Sequence, residues 1–318
     1  MPMYAQKIRG KHYSTAKKRN IYSPIYSLVN TTKKRVGQRM TEIYILTAPR
    51  DKVHKRAIKE FIKMHDVHKW IYAKETGVGG YEHWQIRFYT SASFDELKGA
   101  FPEAHIEKST EWSDYERKEA NFVSSEDTTD ILRCRYGKLR KNQRRILRQV
   151  HLQSDRGITV VYDPKGNTGK SFLSRYLYER NIGFYVPPTV RNTQGIIQYV
   201  ASGYRGQPII VIDIPRSSRW TTELYEGIEA IKDGLVYDTR YSAKMRDIWG
   251  VKILCLTNSC PNLSSLSMDR WEILTSDGDA ISQIQLRSIA AEQSVETAKS
   301  GETTTKTKKK SSRKKTTE

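Results

Sequence analysis

Five residues in the first half of this 318-residue chain could do phosphodiester chemistry if the fold brought them together. His83 and Gln85 are two apart in EHWQIRFYT. On a strand such residues share a face, so both side chains can converge on one divalent cation while Trp84 and Ile86 face the core. Glu75 ends the preceding apolar run KWIYAKE and can add a carboxylate to the same ion. Imidazole, amide oxygen and carboxylate together suit Mg²⁺ or Mn²⁺ better than a structural zinc. An H-x-Q alternation taken alone is more often surface polarity than a metal site. Tyr115 and Lys118 stand three apart in SDYERKEANF, on one face of the helix expected there. A tyrosine oxygen can attack a phosphodiester and form a phosphotyrosine when a metal polarises the phosphate, and Lys118 can stabilise the added negative charge. For an isolated Y-x-x-K, a packed tyrosine beside a solvated lysine is the simpler reading. Order favours the chemistry: an apolar strand ending in Thr-Ala-Pro-Arg comes first, then His-Trp-Gln, then Tyr-Glu-Arg-Lys.

The second group is YDPKGNTGKS, a buried strand running into a glycine-rich loop that opens a helix. That arrangement aims backbone N–H groups at phosphates. Gly166, Asn167, Thr168 and Gly169 form the loop, Lys170 would reach the β- and γ-phosphates of ATP, and the Ser171 hydroxyl would hold Mg²⁺. One departure stands at the entry: Pro164 occupies the place of the usual first glycine, with no N–H and a fixed φ. Downstream, PIIVIDIPR supplies Asp213 as a metal-holding carboxylate at the end of an apolar run. Where many ATPases carry a second carboxylate, this chain has Ile214, so no obvious residue activates water. KILCLTN ends in Asn258, placed to touch the γ-phosphate or the attacking water.

The elements needed to position these residues are legible as two folded segments. Over 41–125 the pattern reads strand, helix, two strands, helix, a further strand near AHIEKS and a closing helix in SDYERKEANFVS, an α+β domain with an antiparallel sheet. Over 156–284 apolar β-branched runs alternate with helices, which indicates an α/β domain with a parallel sheet. The remainder is basic. Residues 1–40 carry ten Lys and Arg and no Asp or Glu, and read as an arm disordered until it meets an anion. Residues 285–318 read as a similar tail, and 126–155 as a basic linker or oligomerisation segment. A net charge of +20 predicts a polyanionic partner, with nucleic acid first. No run approaches the roughly 18 apolar residues of a spanning helix, and no signal peptide is expected. Three cysteines without metal spacing fit a reducing compartment.

The series ILTAPR, HWQ and YERK resembles the three rolling-circle motifs of Rep proteins from small circular single-stranded DNA viruses. Within the HUH-endonuclease superfamily it is similar to the variant in which the second metal-binding histidine is glutamine. GNTGKS, VIDIPR and CLTN resemble the superfamily 3 helicase domain, an AAA+-like phosphate-loop ATPase fused to such nickases; GNTGKS with DIPR is most similar to smacovirus-type and related plasmid Reps. The likeness runs from about Thr41 to Arg270.

The resemblance implies that Tyr115 cuts single-stranded DNA at an origin stem-loop and stays joined to the 5′ phosphate. It implies His83, Gln85 and Glu75 as metal ligands, a homo-oligomeric ring expected as a hexamer, and 3′-to-5′ unwinding driven by ATP. It further implies DNA contacts from a basic hairpin, with Lys244 and Arg246 as candidates, and an arginine finger at Arg270. Host replication factors are further expected partners, in the nucleus of a eukaryotic host or the cytoplasm of a prokaryotic one. Two alternatives compete: a DNA-stimulated NTPase whose first domain binds a hairpin without cutting, and a basic nucleic-acid-binding protein with no enzymatic site.

Overall fold

The computed structural model describes residues 40–240, 244–282, 284–289 and 291. The basic arm (all but Met40) and most of the tail lie outside the described residues.

The first sheet is built from strands β1 (Glu42–Pro49), β2 (Lys69–Thr76), β3 (Glu82–Thr90), β4 (His105–Ser109) and β5 (Phe122–Ser124), in the order β4-β1-β3-β2-β5. All its pairings are antiparallel. Register sets the faces. Trp84, Ile86 and Phe88 alternate towards helix α1 (Lys55–Met64), which buries Ile58 and Phe61 on them. Phe61 stacks on Phe88 and meets Phe101 at a tilt, with ring centroids 5.4 and 5.2 Å away; truncation to alanine there would cost about 3–5 kcal/mol. Helix α2 (Phe94–Ala100) adds Leu97 to the same core, its start fixed by reciprocal bonds between Ser93 and Glu96. His83, Gln85 and Arg87 therefore share the opposite face. In register with them stand Glu75 across from His83 and Ala73 across from Gln85.

The segment expected as a closing helix is different. Tyr115–Arg117 forms a single 3₁₀ turn, Ala120 takes a left-handed φ of 55°, and Phe122–Ser124 pairs with β2 as a strand. The alternating burial of Phe122 and Ser124 is a two-residue period, which a helix cannot serve.

The expected linker is also packed structure. Helices α3 (Thr129–Tyr136) and α4 (Lys141–Leu152) occupy it. Arg135, only 1% exposed, donates to Asp127 at 2.6 and 2.8 Å and to Glu179 at 2.8 Å, with the Phe122 ring 3.6 Å from its guanidinium carbon. Arg135 thus carries internal charge, whereas Arg145 in the same stretch pairs with Asp279 at the surface.

The second sheet contains β6 (Ile158–Tyr162), β7 (Gly183–Val186), β8 (Ile209–Ile214), β11 (Lys252–Thr257) and β12 (Trp271–Thr275), all parallel in the order β12-β6-β11-β8-β7. Helices α6 (Thr193–Gly203) and α7 (Thr222–Asp233) cover one face with Ile196, Val200, Ile228 and Ile231. The other face carries α4 and α5 (Lys170–Glu179) through Ile146, Val150, Leu173 and Leu177. Burial on both faces explains the continuous apolar runs. Because Tyr162, Thr257 and Ile214 are in register, the carboxyl ends of β6, β11 and β8 meet along one edge. Strands β9 (Leu235–Asp238) and β10 (Lys244–Asp247) make a separate antiparallel hairpin. Among the described residues no helix is long and apolar enough to cross a membrane, and all three cysteines are free and buried.

Candidate active sites

The first site lies on the polar face of the antiparallel sheet. Strand β3 presents His83 and Gln85 two residues apart, and β2 places Glu75 directly across from His83. The His83 Nδ1 lies 3.2 Å from the Tyr81 carbonyl. A proton on Nδ1 would leave the Nε2 lone pair facing Glu75 Oε2, 3.7 Å away. Gln85 Oε1 accepts from Thr47 Oγ1 at 2.9 Å and keeps a second lone pair. Glu75 is 3% exposed; its Oε2 accepts from Lys118 Nζ at 2.7 Å, whereas its buried Oε1 has no partner among the described residues. That orphaned oxygen, an imidazole nitrogen and an amide oxygen form a donor set that fits a hard divalent cation. No group of three His, Cys, Asp or Glu clusters among the described residues, and the Gln85 amide oxygen is the further side-chain donor on this face.

Lys118 bridges the site. Besides Glu75 it donates to the Tyr115 hydroxyl, on a side chain that is 53% exposed. Burial opposes the ammonium, but the bonds to Glu75 and Tyr115 prevail and hold its pKa above the usual lysine value. The turn that carries both residues packs on β2 and β3. It is fastened by Glu116, fully buried, which accepts from Arg87 Nε at 2.9 Å. Arg87 also donates to the Glu111 carbonyl at 3.1 Å. Sequence reasoning missed this pair, although Arg87 continues the His83–Gln85 face and Glu116 adjoins Tyr115.

At the second site, Gly166, Asn167 and Gly169 take left-handed φ values of 81°, 61° and 95°. The φ of 95° favours glycine at 169, and a Cβ there would also displace the Gln143 amide from 2.8 Å. Helix α4 braces the loop, Gln143 donating to the Gly169 carbonyl at 2.9 Å. The entry is organised by Asp163, also missed. Its carboxylate accepts from Gly166 N–H at 2.9 Å, the Thr168 hydroxyl at 2.6 Å and Lys170 Nζ at 2.6 Å. Burial raises the Asp163 pKa and these three donors more than reverse that, leaving it below the usual range. The Asp163 carboxylate thus fixes the shape of the loop by accepting from its donors, which leaves the N–H that Pro164 lacks unreplaced; Asp before Pro-x-Gly is the signal for this turn.

Asn258 Nδ2 donates to the Asp163 carbonyl at 2.6 Å, so the structure brings it to the loop. Asp213 and Ser171 line one open pocket of about 250 Å³ with Tyr185. Burial lifts the Asp213 pKa against the charge of Lys170 and a bond from Tyr185. Ile214 is buried in the core, an apolar side chain where a second carboxylate was sought.

No family model matches the chain. It is similar to a master replication protein of Subterranean clover stunt virus, 27% identical over 127 residues, which are 40% of this chain and 42% of the relative. Para-Rep C6 of Subterranean clover stunt C6 alphasatellite is 32% identical over 140 residues, 43% of this chain and 47% of the relative. The master replication protein of Banana bunchy top virus is 25% identical over 120 residues, 38% and 40%. The chain is related to replication proteins of circular single-stranded DNA viruses and their alphasatellites. Its matched stretches span less than half the length of each of these relatives.

The remaining candidate residues are Arg270 and the hairpin pair Lys244 and Arg246. Arg270, expected to reach a neighbour's nucleotide, is 4% exposed and turned inward, with Nη2 2.9 Å from Asp233 and 3.2 Å from Glu229 on α7. A finger needs a projecting guanidinium; this one is enclosed by its own chain. On the hairpin Lys244 is exposed, but Arg246 donates to the Tyr204 carbonyl and is partly buried.

Proposed function

We propose that the chain initiates rolling-circle replication, with an HUH-type nickase in its antiparallel half and a superfamily 3-type ATPase in its parallel half. The observation that carries this reading is Lys118 joining the buried Glu75 carboxylate to the exposed Tyr115 hydroxyl beside His83. Tyr115 loses its phenolic proton to solvent, and the Lys118 ammonium favours the resulting phenolate. The phenolate oxygen forms a bond to phosphorus of a single-stranded origin phosphodiester. The P–O3′ bond breaks and O3′ leaves with a proton from water, so the downstream strand stays on Tyr115 through its 5′ phosphate. The reverse attack by a 3′-hydroxyl joins the strand. Glu75, His83 and Gln85 would hold Mg²⁺ or Mn²⁺, which when bound polarises the phosphate.

In the parallel half, the loop from Gly166 to Gly169 and the first amides of α5 cradle ATP phosphates. Lys170 exchanges Asp163 for phosphate, and Ser171 and Asp213 would hold Mg²⁺. Asn258 stands at the loop as a polar partner of the reacting end. Support for a ring of subunits, 3′-to-5′ unwinding and host factors comes from the resemblance alone. For Arg270 to complete a neighbour's site it would have to leave Asp233 and Glu229. In a test with a labelled single-stranded origin oligonucleotide and Mn²⁺, Tyr115→Phe should lose the covalent adduct and keep ATP hydrolysis. Lys170→Ala should do the reverse. An adduct that survives Tyr115→Phe sinks the nicking assignment; a wild-type protein that hydrolyses ATP but forms no adduct favours a hairpin-binding NTPase.

A further inference from the structure

The antiparallel sheet has a second feature on the face away from Tyr115. Along β2, Glu75, Ala73 and Ile71 point to the tyrosine site, so Trp70 and Tyr72 point the other way. There β2, α1 and α3 enclose a groove of about 760 Å³. Trp70 lies half-buried in its lining, stacked on the buried Tyr72 with ring centroids 5.4 Å apart and 11° between planes, so Trp70 and not Tyr72 offers open aromatic surface. Tyr136 forms a wall, 47% exposed, with its hydroxyl fixed to the Phe122 carbonyl at 2.6 Å. Lys55, Lys59 and Arg133 supply the charge of the lining, the rest is aliphatic apart from one threonine, and no acidic residue takes part.

Among the described residues none of these three cations makes an ion pair, unlike those across the sheet. On the tyrosine face Lys118 is paired with Glu75, Arg87 with Glu116, and Arg117 with Asp114 and Glu126. In the groove Lys55 lies 5.6 Å from the Tyr72 ring centroid, and burial with the charges of Lys59 and Lys74 pushes its pKa down. Cations held close together without counterions raise the local potential for an anionic ligand. Aromatic faces beside them suit unstacked bases, which a duplex keeps inside.

We propose that this groove binds single-stranded DNA, gripping a stretch of strand other than the one at Tyr115. Backbone phosphates meet Lys55, Lys59 and Arg133 while bases stack on the exposed aromatic surface. The lining offers aromatic and aliphatic side chains with few groups to read base edges, so binding is tolerant of sequence. The proposal rests on the chain being a DNA-processing protein, but not on Tyr115 being its nucleophile.

The test measures anisotropy of a labelled oligothymidylate with the full chain across a salt series. Lys55→Glu with Lys59→Glu, both exposed, should weaken binding at least tenfold. It should also flatten the log–log salt slope by about 1.4, the share of two phosphates on a single strand. Tyr136→Ala should weaken binding about tenfold, within the range for loss of one stacked base. At saturating origin DNA both variants should form the Tyr115 adduct like wild type. Unchanged affinity and slope in the double variant overturn the groove, as does a changed oligomeric mass with unchanged DNA affinity, which makes it a protein interface. Photo-crosslinking an iodouracil strand to wild type gives an independent readout: crosslinks on Trp70 or Tyr136 support the proposal, and crosslinks confined to the tyrosine face contradict it. A wild type that binds the oligothymidylate through the groove but forms no adduct removes the nicking reading and leaves this one standing.

Discussion

Both candidate sites hold a lysine against a buried carboxylate, and they use the pair differently. Lys118 reaches past Glu75 to the Tyr115 hydroxyl, so the cation and the proposed nucleophile are already in contact. Lys170 ends on Asp163, inside the loop that should receive phosphate. On the proposed function, the tyrosine site would be assembled before its substrate comes, and the phosphate loop would have its backbone arranged but its lysine engaged. What differs is the location of the carboxylate, beside the reacting atom in one case and in the ligand's place in the other.

The largest test of this contrast is at the support of the tyrosine turn. Arg87→Met leaves Glu116 buried without its cation, a loss of about 3–5 kcal/mol. Thermal unfolding should shift down, and adduct formation should fall while ATP hydrolysis at a permissive temperature persists. An adduct rate equal to wild type would mean that the turn needs no fastening. Asp163→Asn probes the other side. It keeps an acceptor for Gly166 N–H but releases Lys170, so nucleotide affinity should rise about tenfold, the scale of a charge-assisted bond. Weaker binding in a nucleotide titration would make Asp163 a brace alone.

A third lysine gives the smallest effect. Lys232 is buried, bonded to Gln153 Oε1 and the Val251 carbonyl at 3.0 Å each, and burial depresses its pKa to about 8 from 10.5. Between those values the unfolded chain binds more protons than the folded one, so stability should rise with pH from about 8. Above pH 10 Tyr44 and Tyr72, whose pKa values burial raises from 10.0 to about 12, oppose the trend. Denaturant unfolding at pH 8 and 9.5 should show the rise in wild type and lose it in Lys232→Met.

The features legible in the sequence are those that depend on near neighbours. The phosphate loop is a local backbone pattern, and its strand, loop and helix occur where GNTGKS places them. Alternation along EHWQIRFYT correctly divided His83 and Gln85 from Trp84 and Ile86. The parts that escaped depend on distant partners. Arg135 reads as a linker charge until Asp127 and Glu179 are beside it, the latter 44 residues away. Arg87 and Glu116, 29 residues apart, have no shared local signal. Tyr115–Lys118 has helical spacing in a segment that pairing with β2 makes turn and strand. Arg270 looks available in MDRWEIL, and only the packing of α7 shows it enclosed.

The most direct test of the central claim is to locate the covalent link. Wild-type protein with Mn²⁺ and a 5′-truncated origin strand should yield, after proteolysis and mass spectrometry, a nucleotide adduct on the peptide containing Tyr115. An adduct on any other residue, or hydrolytic cutting with no adduct at all, would contradict the account.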